Sequence, residues 1–224
     1  INLPKIWEDH SAGDLILDES KKSMSAIVIG RGPSLKKFKQ LELLSKSNYD
    51  GAIICCDGIL IDVLKAGITP DKFPNFYVVT IDPVEKIKMY YDHELIKKYG
   101  PKINGIFSTI TYPEVVKIAR EHDVKINWLH TLFDYFESKK SFNRVSGLMV
   151  RAVNHKHGLP GIQTGGNVGT AAWFVAWQIL KCKNICLIGI NHGWEDDDPW
   201  DLIVSHGFDA KSQNVERDLS LIHI

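Results

Sequence analysis

Residues Ser25 to Leu35 read SAIVIGRGPSL, and this stretch decides the fold. The apolar run Ala26–Ile29 stops at Gly30-Arg31-Gly32-Pro33-Ser34, and a lysine-rich amphipathic segment follows. The expected order is strand, glycine turn, helix start. Glycine has no Cβ, so backbone N–H groups at Gly30 and Gly32 can approach a ligand closely. Pro33 suits the first turn of a helix, and Ser34 can cap that helix or bind through its hydroxyl. Unpaired N–H groups at a helix start favour phosphate. The stretch reads as a phosphate- or nucleotide-binding turn, and a tight strand-to-helix turn without a ligand is the plain alternative. Two common nucleotide motifs are excluded. The dinucleotide fingerprint needs Gly at Leu35, and so does the Walker pattern.

Outward from this turn, apolar runs alternate with helical segments. Further strands are expected at Ala52–Cys56, Phe76–Ile81, Gly105–Ser108, Ile126–Leu129 and Ile185–Ile190. Helices are expected from Leu35 to about Ser45, over Ile59–Lys65 closed by Gly67, and over Val84–Tyr99 stopped by Gly100-Pro101. Tyr112–His122 and Val168–Leu180 complete the helices, and Thr131–His157 reads as a helical insertion or a lid. Such alternation predicts an α/β, Rossmann-like doubly wound, mostly parallel sheet with helices on both faces. Lys36-Lys37-Phe38-Lys39 reads as a solvated helix face with Phe38 turned inward, an anion clamp being the other reading.

Composition narrows the function classes. The 224 residues are 44% hydrophobic and 24% charged, with 27 Lys+Arg against 27 Asp+Glu. That balance argues against nucleic acid or an anionic membrane as the main partner. No apolar run approaches the roughly 20 residues that span a bilayer. Cys55, Cys56, Cys182 and Cys186 form no C-x-x-C pair and read as buried free thiols, which with no visible signal peptide points to the cytoplasm. Residues 1–24 read as the tail of a preceding element packed on a domain of residues 25–218, truncated at its C-terminus. Leu219-Ser220-Leu221-Ile222-His223-Ile224 is what a transposon end used in sequencing libraries encodes when read in frame, so 219–224 is expected to be non-native.

Several groups that carry chemistry fall just past expected strands, where ligands bind in doubly wound sheets. Asp57-Gly58 can receive ribose hydroxyls or a heterocycle, or Asp57 can cap the next helix. Asp82, in Thr80-Ile81-Asp82-Pro83, can hold a metal, orient a hydroxyl or act as a base, with Pro83 fixing the backbone after it. Gly165 and Gly166 form a second glycine turn, and Asn167 can cap the helix it opens or read a base or sugar. Asn191 and His192 follow the last strand, and His192 can serve as general acid or base. Asp196, Asp197 and Asp198 form an acidic run between Trp194 and Trp200, suited either to Mg²⁺ or Mn²⁺ or to a solvated loop. His155 and His157 read as surface residues.

GRGPSLKK, Asp57-Gly58, VVTIDP at Val78–Pro83, and GGNVGTAAWF…NICLIGIN at Gly165–Asn191 occur in this order. Together they resemble the MptE-like family, which includes archaeal 6-hydroxymethyl-dihydropterin diphosphokinases and bacterial motility accessory factors thought to transfer nonulosonic acids to flagellin. The resemblance implies a transferase acting on a nucleotide-activated donor. Its first turn (Gly30, Gly32, Pro33, Ser34) would take donor phosphate, and Asp57, Gly58 and the Gly165–Asn167 turn with Asn191 would hold nucleoside or acceptor. Asp82 and His192 would flank the reacting centre. Diphosphokinase members are expected to carry a D-x-D-G-like acid cluster where this chain has Thr80 and Asp82, so sugar transfer fits better than ATP- and Mg²⁺-dependent diphosphoryl transfer. A nucleotide-binding module without catalysis is the rival from another class. No cofactor is fixed by the sequence, and Mg²⁺ enters only with the diphosphoryl reading.

Overall fold

The structure, a computed structural model, describes residues 2–15, 25–132 and 158–191. Its frame is a sheet of eight strands: β1 (His10–Ser11), β2 (Ser25–Ile29), β3 (Ala52–Cys56), β4 (Phe76–Thr80), β5 (Asn104–Ser108), β6 (Lys125–Thr131), β7 (Gly161–Ile162) and β8 (Asn184–Ile188). They lie in the order β1-β6-β5-β4-β3-β2-β8, with β7 also on β6, and every pairing is parallel. From β2 the chain steps outward through β3, β4 and β5 to β6, then returns to place β8 on the other side of β2. That reversal between β2 and β8 is a topological switch point of a Rossmann-like α/β fold.

The interior strands follow from their residues. Every residue of β3 and of β4 is buried, as expected where helices cover both faces of a parallel sheet. Beyond them Tyr91, Phe107 and Trp128 form an aromatic row, with ring centroids 5.5 and 6.3 Å apart. β8 is different. It ends the sheet with only β2 beside it among the described residues, so Cys186 and Leu187 are exposed. The expectation of four buried thiols therefore holds for Cys55, Cys56 and Cys182 and fails at Cys186.

The helices are shorter than their spacing predicts. The segment after β2 divides into α2 (Ser34–Lys37) and α3 (Gln40–Lys46), because Lys39 takes a left-handed φ of 50°. The break turns Phe38 outward, 59% exposed, instead of inward. After β3, a 3-10 turn over Asp57–Ile59 leads into α4 (Leu60–Lys65). Val84–Tyr99 is a 3-10 turn at Glu85–Ile87 followed by α5 (Lys88–Tyr91) and α6 (Glu94–Tyr99). Between the last two, His93 is extended and its Nδ1 accepts the Leu95 N–H at 3.0 Å, capping α6. α7 (Pro113–Glu121) has Pro at its first position, where a missing N–H costs nothing. α8 (Val168–Phe174) runs into a π turn at Val175–Ile179.

The first residues are tied to the far edge of the sheet. β1 extends it beside β6, and Asn2 donates its side-chain amide to the carbonyls of Thr109 and Thr111 at 3.2 and 2.6 Å. Asp9 Oδ2 accepts from Arg120 at 2.6 Å and from the Trp128 indole N–H at 2.9 Å. Among the described residues no helix is long and apolar enough to cross a membrane.

Candidate functional site

The glycine turn after β2 meets the end of β8. Gly30 donates its N–H to Ile188 O at 2.9 Å, and Gly32 donates to Gly189 O at 2.7 Å. A Cβ on Gly30 would lie 2.4 Å from Gly189 O, and one on Gly32 would lie 2.2 Å from Asn191 Oδ1 and 2.8 Å from Gly189 O. Gly189 reciprocates: its φ is +61°, and a Cβ there would meet Gly30 O at 2.6 Å. These glycines are needed because two backbones interlock across the switch point. Their N–H groups are engaged by chain carbonyls, which differs from the open donors that the turn suggests in sequence.

Asn191 fastens the same junction. Its Oδ1 accepts the Ser34 hydroxyl at 2.8 Å and sits 3.4 Å from the Ser34 N–H. Pro33, buried, holds the N-cap position of α2, so Ser34 acts through its hydroxyl and does not cap. The second glycine turn joins here from α8. Ile190 Cδ1 lies 2.5 Å from where Gly30 would carry a Cβ and 2.8 Å from where Gly169 would carry one. Gly165 and Gly166, both exposed, have φ of +59° and +85°, which glycine alone adopts without strain. Asn167 caps α8, accepting the Thr170 N–H at 2.9 Å and its hydroxyl at 3.2 Å.

Two carboxylates stand at the neighbouring strand ends. Asp57 follows β3 and is buried. Its Oδ1 accepts the Gly58 N–H at 2.7 Å, while Oδ2 has no hydrogen-bond partner. Burial first, and the charge of Asp82 second, push its pKa up to about 7, against the pull of Gly58 and Thr80. Asp82, past β4, is exposed at the mouth, and the protein around it raises its pKa as well. Thr80, fully buried, shares a hydrogen bond with the Tyr91 hydroxyl at 2.7 Å and also acts on Asp57. Among the described residues no group of three His, Cys, Asp or Glu is placed to hold a metal.

Arg31, inside the turn, reaches the segments that follow β3 and form α5. Its guanidinium comes within 3.5 Å of the Tyr90 hydroxyl, and its Cδ lies 3.6 Å from where Gly58 would carry a Cβ. Nothing lies closer, so Gly58 is replaceable by Ala, unlike Gly30 and Gly32. Ser34 and Asn191 thus meet directly, Asp57 and Asp82 meet electrostatically, and Arg31 lies beside Gly58 and Tyr90. Asn167 reaches this set through the packing of Gly169 on Ile190. Sequence reasoning passed over Arg31 and Gly189, although both lie inside quoted motifs. Their partners come from other strands, and no local pattern names them. His192, Trp194 and Asp196, Asp197 and Asp198 lie outside the described residues, as do positions 133–157.

Comparison with known proteins follows from this geometry. Residues 1–197 match the model of the family described as 6-hydroxymethylpterin diphosphokinase MptE-like. Among solved structures, a Maf glycosyltransferase from Magnetospirillum magneticum AMB-1 has a TM-score of 0.54 and 16% identity, over 93% of this chain and 29% of that one. At this identity the likeness is one of fold, and the chain spans less than a third of that protein's length. Comparison with curated proteins gives no match. With 197 of its 224 residues matched, the chain belongs to the MptE-like family.

Proposed function

We propose that this chain forms the donor-binding core of a transferase that moves a sugar from a nucleotide-activated donor to an acceptor hydroxyl. The observation that carries the reading is the Asp57–Asp82 pair beside the interlocked turn, at the carboxyl ends of β2, β3 and β4. Two acids with different surroundings can take different roles, one neutral and one ionised. Exposed Asp82 would take the acceptor's proton as its oxygen attacks the anomeric carbon. The bond from that carbon to the phosphate oxygen breaks, and the nucleotide leaves with the electron pair. Arg31 would face the departing phosphate, and His192 is proposed as the acid that protonates the leaving nucleotide. Asp57, half-protonated near neutrality, would hold a donor hydroxyl through its unpartnered Oδ2.

The diphosphoryl-transfer reading needs Mg²⁺ held by carboxylates and phosphates. Asp57 and Asp82 could supply two oxygens to such an ion, but burial of Thr80 against Tyr91 removes the third position where this family's kinases are expected to carry an acid. The solved Maf structure is named a glycosyltransferase, which favours the sugar reading. The test is direct. The full chain is incubated with nucleotide sugars, or with ATP, Mg²⁺ and 6-hydroxymethyl-dihydropterin, and free nucleotide is followed by chromatography. Release of nucleotide from a nucleotide sugar supports the proposal, and AMP formation in the pterin reaction alone overturns it.

A further inference from the structure

We propose that the groove beside the glycine turn, between α2–α3 and α4, seats a nucleoside mono- or diphosphate, with Arg31, Lys36 and Lys39 taking its phosphates. The assignment rests on the nucleotide-dependent reading above and says where that nucleotide is held.

The first argument is one of donors. Gly30 and Gly32 give their N–H groups to carbonyls at the end of β8, so a phosphate at this turn must be met by side chains. The groove supplies them. It holds about 490 Å³, opens from Arg31 and Gly32, and carries Lys36 and Lys39 on the same wall. Sites for small molecules usually enclose about 300–1,000 Å³. The left-handed backbone at Lys39 is what turns this wall, because it ends α2 early and sets α3 at a new direction.

The rest of the lining selects the ligand class. Leu35, Leu41, Ile59 and Ala66 make an apolar surface suited to the face of a heterocycle. Glu42 and Asp62 bring carboxylates that accept from ribose hydroxyls or a base amino group. A purely apolar ligand would leave three cations without use, and free phosphate would leave the apolar surface without use. A nucleoside phosphate uses both. Arg31 belongs to the groove and also stands beside Gly58 and Tyr90, so a phosphate on its guanidinium would lie at the edge of the Asp57–Asp82 pair.

The experiment is calorimetric titration of the full chain with AMP, ADP, GMP, GDP, CMP, CDP, UMP and UDP, and with the parent nucleosides, at low and high salt. At least one nucleotide should bind, more weakly at high salt, and more tightly than its nucleoside. K36Q/K39Q should weaken it about tenfold or more, and Ala66→Phe, which fills the groove and changes no charge, should do the same. Lys36 and Lys39 are exposed and Ala66 is half-buried, and circular dichroism verifies that each variant folds. Unchanged affinity in folded K36Q/K39Q overturns the groove assignment and leaves the nucleotide reading standing. A wild-type chain that binds none of the nucleotides overturns both.

Discussion

Ser34 gives its hydroxyl to the Asn191 carboxamide across 2.8 Å, although 157 positions separate them in the chain. The contact places α2 against the end of β8, and with Gly30, Gly32 and Gly189 it makes the switch point one interlocked unit. Asn191→Ala should therefore cost about 1 kcal/mol of stability or less, the loss of a hydrogen bond at an exposed site. Urea denaturation measures it.

The turn glycines should differ in how they fail. Gly30→Ala places a Cβ 2.4 Å from a backbone carbonyl, which cannot swing away, whereas Gly32→Ala first meets the end of the Asn191 side chain. Gly30→Ala should destabilise by about 3 kcal/mol or more, in the range of severe core substitutions. Adding Asn191→Ala to Gly32→Ala should recover part of its loss, a coupling of about 1 kcal/mol. The same addition should recover nothing for Gly30→Ala. Gly58→Ala should be near neutral.

Asp57 makes stability depend on pH with a definite sign. Its folded pKa, about 7, lies above the ordinary carboxylate value of 3.8, so the folded state holds the proton more tightly than the unfolded state. The stabilisation from this group is complete below about pH 4 and is lost as pH rises through 7. Asp57→Asn should remove that slope. At pH 8 the variant should be the more stable by on the order of 2 kcal/mol, about 5 °C in Tm, and at pH 5 the gap should narrow. Thermal melts between pH 4 and 9 check this.

Asp82 should show its role in rate and not in affinity. Removing a general base typically costs 10²–10⁴-fold, so Asp82→Asn should lower kcat about 100-fold or more with a small change in donor KM. Steady-state assays with whichever nucleotide sugar the chain turns over would show the split, and a change confined to KM would refute the role of base.

The N-terminal segment should behave as part of the domain. Asp9→Ala leaves the Arg120 guanidinium and the Trp128 indole N–H without this acceptor and should cost about 2 kcal/mol. Loss of the Trp128 fluorescence signal in urea at a lower midpoint would record it.

Strands were legible because their chemistry is local. Ala52–Cys56 is apolar throughout, Phe76–Thr80 is apolar up to Thr80, and both are buried throughout, as short strands between turns. Helix breaks were not legible. Nothing in Lys36-Lys37-Phe38-Lys39 announces a left-handed Lys39, since a lysine adopts that conformation only when packing on both sides imposes it. The candidate site was legible in position, because in a parallel sheet the residues after each strand gather at one end. Its chemistry was less so. Gly30 and Gly32 stand out as unusual from sequence, but the carbonyls that occupy their N–H groups come from beyond residue 187. The burial of Asp57, and hence its high proton affinity, depends on neighbours from β4 and α5.

The placement of β8 also bears on how the protein is made. Synthesis delivers β2 early, yet its neighbour on one side arrives only with residues 184–188. Until then β2 is an open edge, with the N–H groups of Gly30 and Gly32 bare and able to pair with another chain. A nascent chain can thus complete β3 to β6 and still be sticky along β2. Closure of that edge and assembly of the switch point are one event, so a chain interrupted before β8 is at once aggregation-prone and unable to bind.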